Sequence, residues 1–285
     1  MTSDFFAIDG RVMPAADAVL PVLDLGFLRG LGAFETFRTY GGHPHALPAH
    51  LDRLWGTAAL FGVAPCFTEA DLRRVVARIL ELSGHDEVRV NLVVSPGDHT
   101  SGVFGAEKPR WVVIARDLHA PPEALYERGV TATTFRGDRP SVHHKTTNYL
   151  CGRTGLQAAE ITGAHEAFYV NAADEVTEGV TSNILARFGT TIRTPIAACL
   201  PGITKAGLKP LAEAEGLRWE EGPLPRADLF KADEVWITSA VREVLPVVAI
   251  DGQPIGTGTV GPWAKRLRTV YQADAIASAA RDAKN

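Results

Sequence analysis

The sequence predicts an α+β chain in two parts, and three observations carry that prediction. Two helix-spaced apolar patterns stand side by side near the N-terminus, and alternating strand patterns follow them. The second half is filled by short strands with no regular strand–helix–strand repeat, and a Pro-Pro pair separates the halves.

From Pro48, PAHLDRLWGTAALFG puts Leu51, Leu54, Ala58 and Phe61 on one helical stripe, and EADLRRVVARILELSG repeats it with Leu72, Val75, Val76, Ile79 and Leu80. EVRVNLVV then alternates: Val88, Val90, Leu92 and Val94 face one way, Arg89 and Asn91 the other, and RWVVIA reads as a second strand. The run from 116 to 129 carries Pro121 and Pro122. The expected division is a small N-terminal α+β domain over 1–117, a linker over 118–128 and a larger C-terminal domain over 129–285. Beyond the linker, GVTATTF, HEAFYVN, SNILARF, TIRTP and DEVWITS read as strands, and AIDGQPIG as a hairpin. TTNYLCGRTGLQAAE, the run from Ile203 and the stretch from Pro262 read as helices.

A formal net charge of -4 with scattered lysines and arginines gives no footprint for nucleic acid. No apolar run is long enough for a membrane span, and no basic, then apolar leader opens the chain, so a cytoplasmic protein is expected. Cys66, Cys151 and Cys199 lack ligand spacing and read as small buried or semi-buried apolar residues. His43, His45, His143 and His144 find no third ligand at a sensible spacing, so no metal is expected.

Several stretches could carry chemistry, and each also has an ordinary explanation. PGITK is a glycine turn entering a helix, where free N–H groups and the helix dipole suit a phosphate; equally, Pro201 and Gly202 end a strand and Thr204 caps a helix. EVTEGVTSN sets Glu175 and Glu178 three apart, as a solvated turn also does. ITSAVREVLP breaks a strand into small and hydroxylic residues that let a backbone approach a ligand. Arg53 lies off the apolar stripe of its helix, as a two-pronged anion clamp or a solvated charge. Lys145, in HHKTTNYL, needs a reason to be more than a surface ammonium, since nucleophilic work requires the free amine.

Taken in order, GLGAFETFR, HLDRL, KTTNYL, EVTEGVTSN, PGITK and TSAVREVLPV resemble the motifs of the class IV aminotransferases, the fold-type IV enzymes that use pyridoxal 5'-phosphate (PLP). The resemblance implies a small N-terminal α+β domain, a larger pseudo-barrel C-terminal domain and a homodimer whose active sites borrow residues from the partner. It implies transamination by a ping-pong mechanism through a Lys145 internal aldimine, with the freed amine shuttling a proton. Glu178 takes the pyridine nitrogen. Arg53, Ile203, Thr204, Ser239 and Ala240 take the phosphate, and Leu200 packs on the ring.

Within the family, FETFR is similar to both aminotransferases and aminodeoxychorismate lyases, and Thr36 resembles the lyase threonine that assists pyruvate elimination. The familiar D-amino-acid aminotransferases carry an Arg-x-His pair where this chain reads SPGDHTSG, and a tyrosine where it has Phe34. FLRGLG resembles a less common group in which arginines at the places of Arg29 and Arg89 hold the substrate carboxylate. The implied substrates are an amino acid, the D-enantiomer first, and a 2-oxo acid, with primary (R)-amines as a side activity. Aminodeoxychorismate lyase is the alternative and branched-chain L-amino-acid transamination the third reading. Side-chain preference should depend on residues near 29–34, 95–105 and 240–244.

Overall fold

A computed structural model describes residues 4–99 and 108–282; of the loop over 95–105, residues 100–105 lie outside the described residues. The described residues group into two units. The first takes the chain up to His119, the short segment His144–Asn148 and the C-terminal helix from Ala275; the second takes Ala120–His143 and Tyr149–Asp274.

In the first unit the elements are β1 (Phe5–Ile8), β2 (Arg11–Pro14), α1 (Leu25–Arg29), β3 (Ala33–Tyr40), β4 (His43–Pro44), α2 (Leu47–Ala58), α3 (Glu69–Ser83), β5 (Val88–Ser95) and β6 (Arg110–Asp117). The strands form an antiparallel sheet in the order β2-β1-β6-β5-β3-β4. Alternation decides its faces: Phe37, Val90, Leu92, Val113 and Ala115 pack on Leu47 and Leu54 of α2 and Leu72, Val76 and Ile79 of α3. Each such fully buried leucine or isoleucine contributes about 1.5–3 kcal/mol. Leu51 and Ala58 join that core as the spacing predicts, while Leu80 and Phe61 are only partly buried. A reciprocal capping box between Thr68 and Asp71 starts α3, and Pro48 sits in the first turn of α2, where its missing N–H costs nothing.

In the second unit follow α4 (Glu123–Arg128), β7 (Val130–Arg136), α5 (Leu150–Thr162), β8 (Glu166–Val170), β9 (Val176–Gly179), β10 (Asn183–Phe188), β11 (Thr191–Thr194), α6 (Ile203–Ala214), β12 (Arg218–Glu221), α7 (Arg226–Leu229), β13 (Glu234–Ser239), β14 (Glu243–Ile250), β15 (Gln253–Pro254) and α8 (Pro262–Asp282). Strands β12-β11-β10-β13-β14-β7-β8-β9 make a mixed sheet that curls into a half-barrel, with β15 paired to β14. Asp251 and Gly252, both at positive φ, close the β14–β15 hairpin as the Asp-Gly signal predicts. The chain is 34% helical and 31% strand, which makes it α+β.

Within the 118–128 stretch, Glu123–Arg128 is a helix that buries Tyr126, with Pro122 as its N-cap. Two expectations need correction. The helix beyond Lys145 begins at Leu150 rather than at the threonines, because the backbone of residues 145–147 is bonded to residues 32–34 instead. Cys66 is exposed, and only Cys199 of the three cysteines is buried. No helix among the described residues is long and apolar enough to cross a membrane.

Candidate active site

In the first unit, Lys145 sits on a backbone clamp. Its carbonyl accepts from the Phe34 N–H at 2.9 Å, Thr147 N–H donates to the Gly32 carbonyl at 2.9 Å, and Ala33 bridges Thr146. Thr57, on α2, receives the Lys145 N–H on its hydroxyl at 3.1 Å. The approach is close enough that a Cβ at Gly32 would lie 2.8 Å from the Thr147 side chain, so only glycine fits there. The chain thus enters β3 and the lysine segment together, and the lysine Nζ lies 4.6 Å from the centre of the Phe34 ring. KTTNYL and GLGAFETFR, more than a hundred residues apart in sequence, are one local structure.

Behind β3 stands a charged array that the sequence reading did not assemble. Glu35 points to the apolar side of β3 and is 0% exposed. Both its oxygens are engaged: Oε1 accepts from Arg53 Nε at 2.7 Å, and Oε2 accepts from Arg53 Nη2 at 2.6 Å and from His50 Nδ1 at 2.7 Å. The fork of Arg53, expected to be a two-pronged anion clamp, therefore already spends two of its N–H groups on Glu35. Burial pushes the Glu35 carboxyl up, but the hydrogen bonds from Arg53 and His50 and their charges outweigh it, leaving it lowered from 4.5 to about 2. Burial is also the main cause that lowers His50, against the pull of Glu35, which keeps its ring neutral with the proton on Nδ1.

The array makes a pH prediction. A carboxylate with a depressed folded-state pKa contributes stability above its ordinary value, and loses it as pH falls toward the folded value. From the 4.5 and about 2 of Glu35, that contribution is on the order of 3 kcal/mol. Glu35→Gln is expected to be less stable than the parent near neutrality, and the gap should close on acidification through the window from about 4.5 to about 2. Thermal unfolding against pH checks it; a constant gap would show that the carboxylate charge is not the stabilising feature.

The outer face of the same sheet carries Phe34 and Thr36 on β3 beside Val93 and Asn91 on β5. Thr36 Oγ1 accepts from Asn91 Nδ2 at 3.0 Å. Arg89 is exposed, away from the apolar face as alternation predicts, and lies in register between Arg38 and Arg116. Arg29 is exposed at the end of α1, its Nη1 turned onto the Leu28 carbonyl at 3.1 Å. The turns that carry α1 and the start of the 95–105 loop are tied together. Asp24 accepts from Gly26 N–H, Ser95 Oγ and Arg110 Nη1, and Arg110 also reaches Asp98.

In the second unit, Glu178 lies on β9 and is buried. Its Oε2 accepts from the Leu200 N–H at 3.0 Å and its Oε1 from Arg139 Nη1 at 3.1 Å. Arg139 was missed by the sequence reading, six positions ahead of Lys145; its only signal was its closeness to the motif. Glu175, the other acid of the pair, instead accepts from Asn171 Nδ2 at its own turn. The strap 195–202 is held on both sides: Asn183 Nδ2 donates to the Leu200 carbonyl at 2.8 Å, His143 Nδ1 meets the Cys199 carbonyl at 3.2 Å, and Lys205 Nζ donates to the Pro195 carbonyl at 2.8 Å. Burial raises the Tyr169 phenol to about 12, so that hydroxyl stays protonated near Arg139 and Glu178.

Helix α6 starts at Ile203 with Gly202 as its N-cap and no side-chain cap, which corrects the alternative in which Thr204 caps it. Thr204 is inside the first turn and buried. The first N–H groups of a twelve-residue helix are thus left for an anion. Beyond β13, Ser239 and Ala240 are half-buried, and Ser239 Oγ accepts from the Arg242 N–H at 3.4 Å. Beside them Thr238 Oγ1 is buried with no hydrogen-bond partner among the described residues. Uncapped helix N–H groups, an orphaned hydroxyl and a carboxylate fixed by a backbone N–H are the donor and acceptor set a phosphorylated pyridine calls for, so these residues fit PLP. Among the described residues no cluster of three or more His, Cys, Asp or Glu could hold a metal ion.

Residues 32–250 match the family model described as amino-transferase class IV. A D-alanine aminotransferase of Bacillus licheniformis is 32% identical over 279 residues, 96% of this chain and 98% of that protein. An aminodeoxychorismate lyase of Bacillus subtilis is 28% identical over 273 residues, 93% of this chain and 92% of that one. Among solved structures, a branched-chain amino acid aminotransferase of T.th. with pyridoxamine 5'-phosphate is similar at a TM-score of 0.88 and 25% identity, covering 98% of this chain and 96% of that chain.

Proposed function

Because the chain belongs to the class IV aminotransferases, a PLP-dependent family, we propose that it moves an amino group from an amino acid, the D-enantiomer preferred, to a 2-oxo acid. The transaminase part is carried by one observation: Lys145 is the lysine whose backbone is clamped to β3, with its Nζ above Phe34. The preference for a D-amino acid rests on the relative from Bacillus licheniformis, 32% identical over 96% of the chain, and on the two exposed arginines.

Bound PLP supplies an electron sink that makes the α-hydrogen of an amino acid acidic. The Lys145 amine would hold the cofactor at rest and, once free, would take that proton on Nζ and pass it to the cofactor rather than back to the α-carbon of the amino acid. Glu178 holds the proton of the ring nitrogen; it is suited to this because its anion is already fixed by Leu200 N–H and Arg139. Within the second unit, the N–H groups at Ile203 and Thr204 and the Ser239–Ala240 turn would take the phosphate, and Leu200 would pack on the ring. Arg89 is exposed and lies in register between Arg38 and Arg116, a row of positive charge that favours a carboxylate. We propose a homodimer with shared active sites, in which Arg29 is a second candidate for the substrate carboxylate.

If Arg29 and Arg89 hold the substrate carboxylate, replacing either by methionine is expected to raise the KM for D-alanine about tenfold to a hundredfold, the value of a charge-assisted hydrogen bond. The KM for (R)-1-phenylethylamine, which has no carboxylate, should stay unchanged. Equal losses on both amines contradict the assignment.

A lyase reading has its own observation: Thr36 stands on the face of Phe34 with its hydroxyl directed by Asn91. Single-turnover mixing of PLP-loaded protein with D-alanine, L-leucine and aminodeoxychorismate separates the readings. Conversion of the cofactor to its amino form by D-alanine supports the proposal. Conversion by L-leucine alone moves it to branched-chain substrates, and release of pyruvate from aminodeoxychorismate alone moves it to the lyase.

A further inference from the structure

Glu243 opens β14 immediately after the 239–242 turn, and its φ is +57°, in the left-handed region that a residue with a side chain enters only at a cost. Such a conformation persists where its surroundings over-determine it. Here they do. The Glu243 carboxylate is 1% exposed, and its Oε2 accepts from Gln272 Nε2 at 2.6 Å and Arg268 Nε at 3.3 Å, both on α8. Arg268 in turn lies 3.4 Å from the centre of the Tyr126 ring and donates to both oxygens of Glu123 at 2.8 Å. Tyr126, on α4, donates its hydroxyl to the Arg242 carbonyl at 2.9 Å. The Arg242 side chain runs the other way, its Nη1 reaching Glu166 at 3.0 Å and Thr181 at 2.7 Å.

The turn is therefore tied down three ways at Arg242 and the residue after it: by α8 through the Glu243 carboxylate, by α4 through the Arg242 carbonyl, and by Glu166 through the Arg242 side chain. Nothing in strand geometry asks for this, since a glycine at 243 would adopt the same φ without strain. The carboxylate at a strained position is explained if the shape of the turn matters more than the local cost. On the reading that Ser239 and Ala240 take the phosphate of PLP, we propose that Glu243 is a positioning residue, which with Arg268 and Tyr126 fixes the 239–242 turn in the shape that receives that phosphate. Backbone N–H groups bind an anion well only when they are aligned before it arrives, and a turn that wandered would have to be ordered by the ligand at each binding event.

Glu243→Gly tests this, because glycine accepts the backbone conformation and removes only the anchor. Glu243→Gln, which keeps the length and one acceptor, guards against a general folding defect. On full-length protein stripped of cofactor, the dissociation constants for PLP and for pyridoxal, which lacks the phosphate, are measured beside amide hydrogen exchange over 239–242. The expected result for Glu243→Gly is a PLP constant weaker by about tenfold, the value of one lost anchor to a charged group, with pyridoxal unchanged and exchange over 239–242 faster. Glu243→Gln should fall between it and the parent. Unchanged exchange would overturn the anchoring role. Faster exchange with PLP and pyridoxal weakened equally, or with neither weakened, would show that the turn is anchored but does not serve the phosphate, which overturns the assignment of Ser239 and Ala240 and the positioning role with it.

Discussion

Lys145→Ala is expected to remove transamination, by about 10⁴-fold or more in kcat, since on the proposed reading one side chain would both hold the cofactor at rest and move the proton. The visible absorbance of lysine-bound PLP should vanish from the purified protein even where PLP is retained. The fold should survive, because the clamp on this segment is made by backbone groups: the Lys145 carbonyl and N–H, Thr147 and Gly32. An alanine keeps every one of them. Steady-state kinetics with D-alanine, an absorbance spectrum and a circular dichroism melt check the three parts, and wild-type turnover in a folded variant would end the assignment. Lys145→Arg, which preserves charge over the Phe34 ring but cannot act as a free amine, is expected to be as inactive as the alanine.

Glu178→Gln should lower kcat by about 10²–10³-fold, the usual range when a preorganised charge facing the reaction is neutralised. The amide can still accept from the Leu200 N–H, so the strap over 195–202 keeps its place. On the proposed reading it would no longer hold a proton on the ring nitrogen, and Arg139 would lose its ion pair with Glu178. A loss confined to kcat, with the affinity for PLP changed by less than the rate, identifies an electronic role. A loss confined to PLP affinity would make Glu178 a mere contact. Glu178→Asp separates the two further, because it restores the charge but draws it back from both partners.

Much of this was legible from residue order alone. Alternation placed Arg89 and Asn91 outside their sheet, and the glycine turn before Ile203 located a helix start that the structure leaves uncapped. The α+β class followed from two amphipathic helices with strands after them, and the mixed helix and strand content bears it out. Short elements were lost for a physical reason: β1, β2 and β9 have four residues each, too few for a period to show, and β9 is buried all round so that it does not alternate. The helix at Glu123 hid behind two prolines that read as breakers, although proline before the first turn favours a helix start.

The larger loss was of partnerships. Glu35 sits between Ala33 and Phe37 on a strand face that alternation marks as apolar, and a carboxylate there must have a cation. That requirement was a usable signal, and Arg53 in the neighbouring motif satisfies it. Glu243 carried no such signal, because its left-handed backbone and its partners on α8, 25 and 29 positions away, exist only in the fold. Lys145 was found by resemblance, and its clamp onto β3 joins residues 34 and 145 in a way that no local pattern encodes.

Borohydride reduction of the PLP-loaded protein, followed by mass analysis of its peptides, tests the central claim most directly, because it fixes a lysine-bound cofactor to the residue that carries it. The account predicts the added mass on the peptide that contains Lys145, in near-stoichiometric yield, and its loss in Lys145→Ala. The structure supplies a natural rival in Lys205, buried at 6% exposure with its Nζ on the Pro195 carbonyl. Label on Lys205, or protein that binds PLP with no lysine labelled, would contradict the account.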